Sequence, residues 1–151
     1  MQRSAGILLF RRSPGLEVLL GHMGGPYWAG KDEHAWSIPK GLYEEPEQPL
    51  DAALREFAEE LGQPAPAAAY EPLGEFRVSS GKVLTVFAGE GDADVSSITS
   101  NTFRLEWPPR SGRLQQFPEL DGAAWFALDA ARTKAVKGQL PVLAALEKRL
   151  A

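Results

Sequence analysis

The segment from about Pro49 to Leu61 constrains the fold more than any other part of the chain. Proline lacks a backbone N–H, so Pro49 suits the first turn of a helix. Gly62 suits the left-handed position just past the helix end, and Pro64 blocks continuation. At 100° per residue, Leu50, Leu54, Phe57 and Leu61 fall on one narrow apolar stripe, while Glu56, Glu59 and Glu60 fan across the far side. The helix is expected to dock by the stripe and to present its glutamates.

A solvated polar face is the ordinary reading of such charges. Two features argue against it here. Glu56 and Glu60 form a like-charge i,i+4 pair, which costs a few tenths of a kcal/mol, and Glu59 and Glu60 lie where the helix dipole disfavours anions. Such a face calls for a cation. Grouped carboxylates are the hard oxygen ligands that Mg²⁺ prefers, with Mn²⁺ as a substitute. A structural Ca²⁺ site is a poorer match, because the closely spaced Asp/Asn/Gly loop of a dedicated calcium motif is missing.

Before the helix, "SAGILLF" and "LEVLLGHM" flank a turn at "RRSPG" and read as a hairpin, followed by a loop from Gly24 to Ala35. After it, "YEPLGEFRVSS" and "KVLTVFAGE" flank Ser80-Gly81 as a second hairpin. "TFRLEW" and "GAAWFAL" read as later strands, separated by a Pro/Gly-rich loop, "PPRSGRLQQFPE". Val142, Leu143, Leu146 and Leu150 have helical spacing and close the fold. Strands with one central and one terminal helix imply an α+β fold, a mixed sheet covered by helices. At 151 residues the chain suits one domain over residues 1–151, and the Pro/Ala-rich stretch Gln63 to Ala69 is too short to divide it.

A net charge of −4 argues against a nucleic-acid or anionic-membrane surface, so a polyanionic partner would need a local reversal of sign. With no cysteine there is no disulfide and no thiolate ligand or nucleophile, as suits a reducing cytoplasm. The apolar run Ala5 to Phe10 is too short for a membrane span or a signal-peptide core.

The pattern Gly41, five residues, Glu47, seven residues, then Arg55-Glu56-Phe57-Ala58-Glu59-Glu60-Leu61-Gly62 resembles the box of the Nudix hydrolases at every fixed position. At about 7% usage per residue type, seven such positions coincide on the order of once in 10⁸ windows. Phe57 and Gln63 depart from the aliphatic residues usual there, and neither is a ligand position. The resemblance implies an α/β/α sandwich and metal-dependent hydrolysis of a phosphoanhydride in a nucleoside diphosphate linked to another group. It implies Glu56, Glu59 and Glu60 as metal ligands or water activators, with Glu56 the leading base. It also implies the Lys40 carbonyl as a further ligand and a Glu47–Arg55 pair that fixes the loop against the helix. Many members add a glutamate about six residues before a tryptophan that begins the last strand. Glu119 stands six before Trp125 and is the second candidate base. A catalytically silent, nucleotide-binding regulatory module is the alternative, although such loss usually shows as a damaged box.

"WSIPKG", Trp36 to Gly41, resembles the hydrolases of diadenosine tetraphosphate and of diphosphoinositol polyphosphates within that family. Lys40 at the entrance to the box, and Arg110 and Arg113 in the Pro/Gly-rich loop, are candidate phosphate contacts that would reverse the local sign. Tyr27, Trp28 and Trp36 are placed either to stack a base or sugar or to pack in the core. His34 is a candidate substrate contact, and His22 is assigned no ligand role. Trp107 and Trp125 are assigned to strands and core. The expected partner is a small phosphoanhydride substrate, with no nucleic acid and no membrane, acting on a cytoplasmic monomer or homodimer.

Overall fold

The computed structural model describes residues 1–12, 14–66 and 69–151. Ser13 of the first expected turn, and Ala67 and Ala68 of the Pro/Ala-rich stretch, lie outside the described residues. Strands β1 (Gln2–Arg12) and β2 (Leu16–Met23) form the first hairpin, and β5 (Glu71–Ser79) and β6 (Lys82–Glu90) form the second, as the sequence suggests. They join in one sheet because β1 pairs in parallel with β6 from Gln2↔Lys82 to Phe10↔Glu90. The two short strands β3 (Trp36–Ser37) and β4 (Lys40–Leu42) pair with β2 and β1 respectively, and β9 (Leu120–Ala127) lies along β2. The sheet is therefore mixed, as expected.

Side-chain alternation divides β1 between two cores. Ala5, Ile7 and Leu9 face helix α1 (Pro49–Leu61) and pack with Ala52, Ala53, Phe57 and Leu61. Leu8 and Phe10 face the opposite side, where Val18, Leu20, Leu84 and Val86 meet helices α2 (Leu128–Lys134) and α3 (Leu140–Leu150) through Ala131, Val142, Leu143 and Leu146. The result is an α/β/α sandwich. The sequence carried "GAAWFAL" through Leu128 as strand, whereas the strand stops at Ala127 and Leu128 opens α2. Trp125 is accordingly the sixth residue of β9 and not its first. Among the described residues no helix is long and apolar enough to cross a membrane.

Helix α1 has the bounds its prolines and glycine dictate. Gly62 adopts φ 74° and returns its N–H to the Ala58 carbonyl, ending the helix in the left-handed conformation a side chain disfavours. The buried arc is wider than the leucine stripe and centres elsewhere. Ala52, Ala53, Glu56, Phe57, Glu60 and Leu61 are buried, while Leu50 and Leu54 sit at its edge. The alanines let the helix lie close on β1, and that rotation turns Glu56 and Glu60 toward β4 instead of solvent.

The expected loop between the last strands is a hairpin. Strands β7 (Thr102–Glu106) and β8 (Leu114–Pro118) pair antiparallel as a two-stranded sheet of their own. At its tip Glu106 accepts hydrogen bonds from the Arg110 and Gly112 backbone N–H groups. Its base is held by backbone bonds, Asn101 N–H to the Glu59 carbonyl (2.8 Å), Glu119 N–H to the Asn101 carbonyl (2.9 Å) and Gly24 N–H to the Glu119 carbonyl (2.9 Å).

Candidate active site

Where α1 crosses β4, a cleft of about 350 Å³ opens between Glu56, Glu60 and Glu119 on one side and Ser4, Lys40, Lys82, Leu84 and Asn101 on the others. Three of the four expected acidic ligands are thus brought together from two separate regions of the chain. Glu59 stays at the rim and does not line the cleft. Its carboxylate is taken up by Arg55 at 3.2 Å.

Arg55 organises this rim. It engages Glu47 through two hydrogen bonds, Nε to Oε2 at 2.8 Å and Nη2 to Oε1 at 2.9 Å, and its Nη1 reaches Glu56 at 3.1 Å. This two-pronged pairing holds the Glu47 carboxyl below its usual range. The same carboxylates raise the Arg55 pKa, with the Glu47 hydrogen bond the largest cause. The guanidinium therefore fixes the loop before the helix and orients two glutamates of the cluster at once.

Gly41 explains the glycine of the box. A Cβ there would lie 2.0 Å from the Glu56 carboxyl group, so Glu56 occupies the space a side chain would fill. Burial pushes the Glu56 carboxyl up, neighbouring Glu59 adds to the shift, and Arg55 opposes it. Glu60 is more strongly affected. Only 7% exposed, it is pushed up to about 8 chiefly by burial, with Lys40 acting against the shift and Glu56 and Glu119 with it.

The backbone of Lys40 faces the same carboxylates. Ile7 donates to the Pro39 carbonyl, Tyr43 donates to the Arg3 carbonyl, and Ala5 stands opposite Gly41, so the odd-numbered residues of this segment carry the bonds to β1. Lys40 points its backbone groups the other way, and its N–H reaches Glu60 Oε1 at 3.2 Å. Successive residues of a strand alternate in this respect, and the N–H and C=O of one residue share a side. The Lys40 carbonyl consequently opens toward the cleft.

This donor set fits a hard divalent cation. It consists of oxygen ligands alone, with a buried carboxyl group, Glu60, that takes up a proton where no cation is present, and a carbonyl turned inward. Among the described residues no three His, Cys, Asp or Glu side chains are grouped closely enough to hold an ion by themselves. An open arrangement suits Mg²⁺, which keeps several waters and substrate oxygens in its shell.

The remaining candidates lie elsewhere. Trp36 packs edge-on against His22 and Phe126 at 5.1 and 4.9 Å and donates to Asp32, which makes it a packing residue. Tyr27 is exposed and leans on Trp107 at 5.2 Å. Trp28 stands within 5.8 Å of the Lys31 ammonium. Trp125 donates to the Ala93 carbonyl under the Arg11 guanidinium. His34 is tied to the end of α2 through Thr133 and Ala135. Arg110 and Arg113 sit at the hairpin tip, separated from Glu119 by the length of β8, about 17 Å at 3.3 Å per residue. None of these lines the cleft.

Lys82 and Asn101 are among the cleft residues that were missed in the sequence. Lys82 follows a Ser-Gly turn and carries no local mark of function, and its position emerges only from the parallel pairing of β1 with β6. Asn101 is hidden in a polar stretch, and its role as a backbone bridge between α1 and Glu119 has no sequence signal.

The fold is an α/β/α sandwich with a glutamate-lined cleft beside α1. The NUDIX domain model matches residues 1–146, and the chain belongs to the Nudix hydrolase family. Members of that family are pyrophosphohydrolases that act on small phosphoanhydrides, a nucleoside diphosphate linked to another moiety, and generally use divalent metals. Among solved structures, the Ap4A hydrolase of C. elegans in a binary complex is 21% identical with a TM-score of 0.65, covering 97% of both chains. The NUDIX domain of Shewanella oneidensis NrtR, complexed with ADP ribose, is 17% identical with a TM-score of 0.68, covering 99% of this chain and 88% of that one. The C-terminal domain of mouse MUTYH, in complex with human PCNA, is 23% identical with a TM-score of 0.64, covering 99% and 90%. No curated protein matches significantly.

Proposed function

We propose that this Nudix domain hydrolyses dinucleoside polyphosphates or comparably phosphate-dense substrates, using Glu56, Glu60, Glu119 and the Lys40 carbonyl to hold Mg²⁺ or Mn²⁺. A cation held by these groups would offset the charge of phosphate oxygens and supply an activated water, whose pKa such ions can lower from 15.7 toward about 7. Glu56 accepts the proton of the attacking water, its orientation set by Arg55, and Glu119 is the second candidate for that role. Glu59, presented at the rim by the same arginine, completes the acidic set.

The observation that carries the substrate class is the placement of two lysines. On β1, Ser4, Gly6 and Leu8 share a face, and the register places Lys40 opposite Gly6 and Lys82 opposite Gln2. Both lysine side chains therefore stand on the same face of the sheet, the face that carries α2 and α3. Two strand spacings and four residues separate them, about 16 Å between Cα atoms. A phosphate chain running from the carboxylates across this face meets both ammonium groups, and these supply the reversal of sign that a net charge of −4 requires. This role replaces the one that sequence reasoning gave to Arg110 and Arg113.

Each charge-assisted contact to a phosphate is worth about 1.5 to 3 kcal/mol, or roughly ten- to a hundredfold in kcat/KM. Lys82→Ala is expected to lower kcat/KM for diadenosine tetraphosphate by that factor and for ATP by much less. A panel with Mg²⁺ that also holds nucleotide sugars and diphosphoinositol polyphosphates tests the class directly. Preference for ATP, or equal losses on both substrates, defeats the long-chain reading. Absence of any hydrolysis on the whole panel favours the regulatory-module alternative.

A further inference from the structure

We infer that Gln139 is a positioning residue for the Lys40 backbone, fixing from the far side of the sheet the carbonyl and N–H that face the carboxylates. This rests on the reading of the cleft as a metal site. The strand that delivers Lys40 changes partners just before it does so, since β3 pairs with β2 and β4 pairs with β1. At such a change of partner no neighbouring strand remains to meet every backbone group, and buried N–H groups require an acceptor.

The Ile38 N–H falls in this gap. It donates to the side-chain Oε1 of Gln139 at 3.0 Å, and the Gln139 Nε2 donates to Ser37 Oγ at 2.8 Å. Ser37 Oγ in turn donates to the Ile38 carbonyl at 2.8 Å. All three residues are buried, with Gln139 only 3% exposed. The amide acts as a substitute strand. It continues the line begun by Val136, whose N–H donates to the Trp36 carbonyl at 2.8 Å. One residue later Pro39 offers no N–H, and its carbonyl is fixed by Ile7 from β1. Lys40 follows immediately, its N–H in the peptide that Ile7 holds by the Pro39 carbonyl and two peptides beyond the one that Gln139 holds by the Ile38 N–H.

Gln139 is itself rigidly seated. It ends a short 3-10 turn, Lys137–Gln139, whose Gly138 lies so close to β5 that a Cβ there would come within 2.5 Å of the Val78 carbonyl. Val78 is part of the cleft wall, so one contact ties the turn to the cavity and the next ties it to Lys40. A hydrophobic residue of the same length would fill the volume but leave the Ile38 N–H free to rotate the peptide that follows.

The test compares Gln139→Met, which keeps length and loses both hydrogen bonds, with Gln139→Glu, which keeps an oxygen for Ile38. Val142→Ala serves as a control, removing buried volume in the adjoining helix. Three measurements are made without substrate: Mn²⁺ affinity by electron paramagnetic resonance, hydrogen exchange at the Lys40 amide in metal-free protein, and Tm. Gln139→Met is expected to weaken Mn²⁺ binding by about tenfold or more, as loss of a ligand-orienting partner does. It should also speed exchange at Lys40 beyond what its Tm change explains. Gln139→Glu is expected to restore most of both. Val142→Ala should lower Tm while leaving both readouts as in the wild type.

Wild-type Mn²⁺ affinity and Lys40 exchange in Gln139→Met overturn the inference. Equal losses in Val142→Ala overturn it too, because they assign the effect to stability alone. A wild-type chain that binds no Mn²⁺ defeats the metal-site reading instead, and the exchange measurement then decides the positioning role by itself. Should Gln139→Met not fold, Ser37→Ala removes the hydroxyl that orients the amide. It is expected to change both readouts in the same direction by less, and no change in either then overturns the inference.

Discussion

The cleft and the β7–β8 hairpin both concentrate charge, and they differ in what surrounds it. In the cleft, Glu56 and Glu60 are taken out of water beneath β4, and their pKa values rise with burial. On the hairpin, Arg104, Arg110 and Arg113 face solvent, where ions are screened and pairs are worth little. Charge count alone would rank the two regions alike. Desolvation separates them, because a carboxylate held away from water must be neutralised by a proton or by a cation, whereas an exposed guanidinium has no such need.

The largest test of that contrast is Glu60→Gln. It removes one carboxylate and preserves shape, so turnover with Mg²⁺ should fall by about 10² to 10⁴, the range expected for a group essential to proton or metal chemistry. Circular dichroism should show an intact fold, and metal-free stability near neutral pH should rise, because glutamine is buried neutral without taking up a proton. Glu59→Gln, at the rim, should cost clearly less. Near-wild-type turnover in Glu60→Gln, measured as nucleotide release, would place the working charge elsewhere.

Next in size is the seat of the helix. Phe57 is fully buried, and Phe57→Ala is expected to cost about 3 to 5 kcal/mol in denaturant melts. A loss below about 1 kcal/mol would mean that α1 is rotated, and the burial of its glutamates would be wrong as well.

The pH dependence of metal-free stability comes third. Glu60 has a folded-state value of about 8 against 4.5 for the free side chain, so between these values the folded state binds more protons than the unfolded one. The contribution of this group is fully present below pH 4.5 and is lost as pH rises through 8, a decline on the order of 5 kcal/mol. Urea melts at pH 5 and pH 8.5 measure it, and saturating Mg²⁺ should reverse it. A flat profile, or one as steep in Glu60→Gln as in the wild type, would break the link between burial and charge.

The smallest effect is expected on the hairpin. Arg110→Ala and Arg113→Ala should each change stability by less than about 0.5 kcal/mol and leave kcat/KM for diadenosine tetraphosphate within about twofold. A tenfold loss in either would return the tip to the substrate path.

The two regions also differ in how far the sequence reveals them. Helix α1 could be bounded to the residue because proline, the left-handed glycine and the 100° repeat are all local. The grouping of Glu56 with Glu60 follows from the same repeat. What the repeat could not show is that β4 would cover them, since three residues paired across to β1 leave no periodic signal. Lys82 reaches the cleft only through pairing with a strand 80 positions earlier, beyond the range of any local pattern. The hairpin was missed for the opposite reason. Its prolines and glycines mark a turn correctly, but the flanking "LQQFP" has too little alternation to read as a strand. Trp36 shows a further limit, because an aromatic beside a loop looks the same in sequence whether it stacks on a ligand or on Phe126.

The bonds at the base of the hairpin make its far end separable from the chemistry. Asn101 and Glu119 are pinned to each other and to the end of α1 through main-chain atoms, with the Ser100 hydroxyl bracing the same junction, so the position of Glu119 does not depend on the side chains of the tip. Residues 107–113 are thus a natural place for an engineer to graft a foreign loop, an affinity tag or a fluorophore. The same arrangement would let lineages of this enzyme trade one tip for another without retuning the hydrolytic centre.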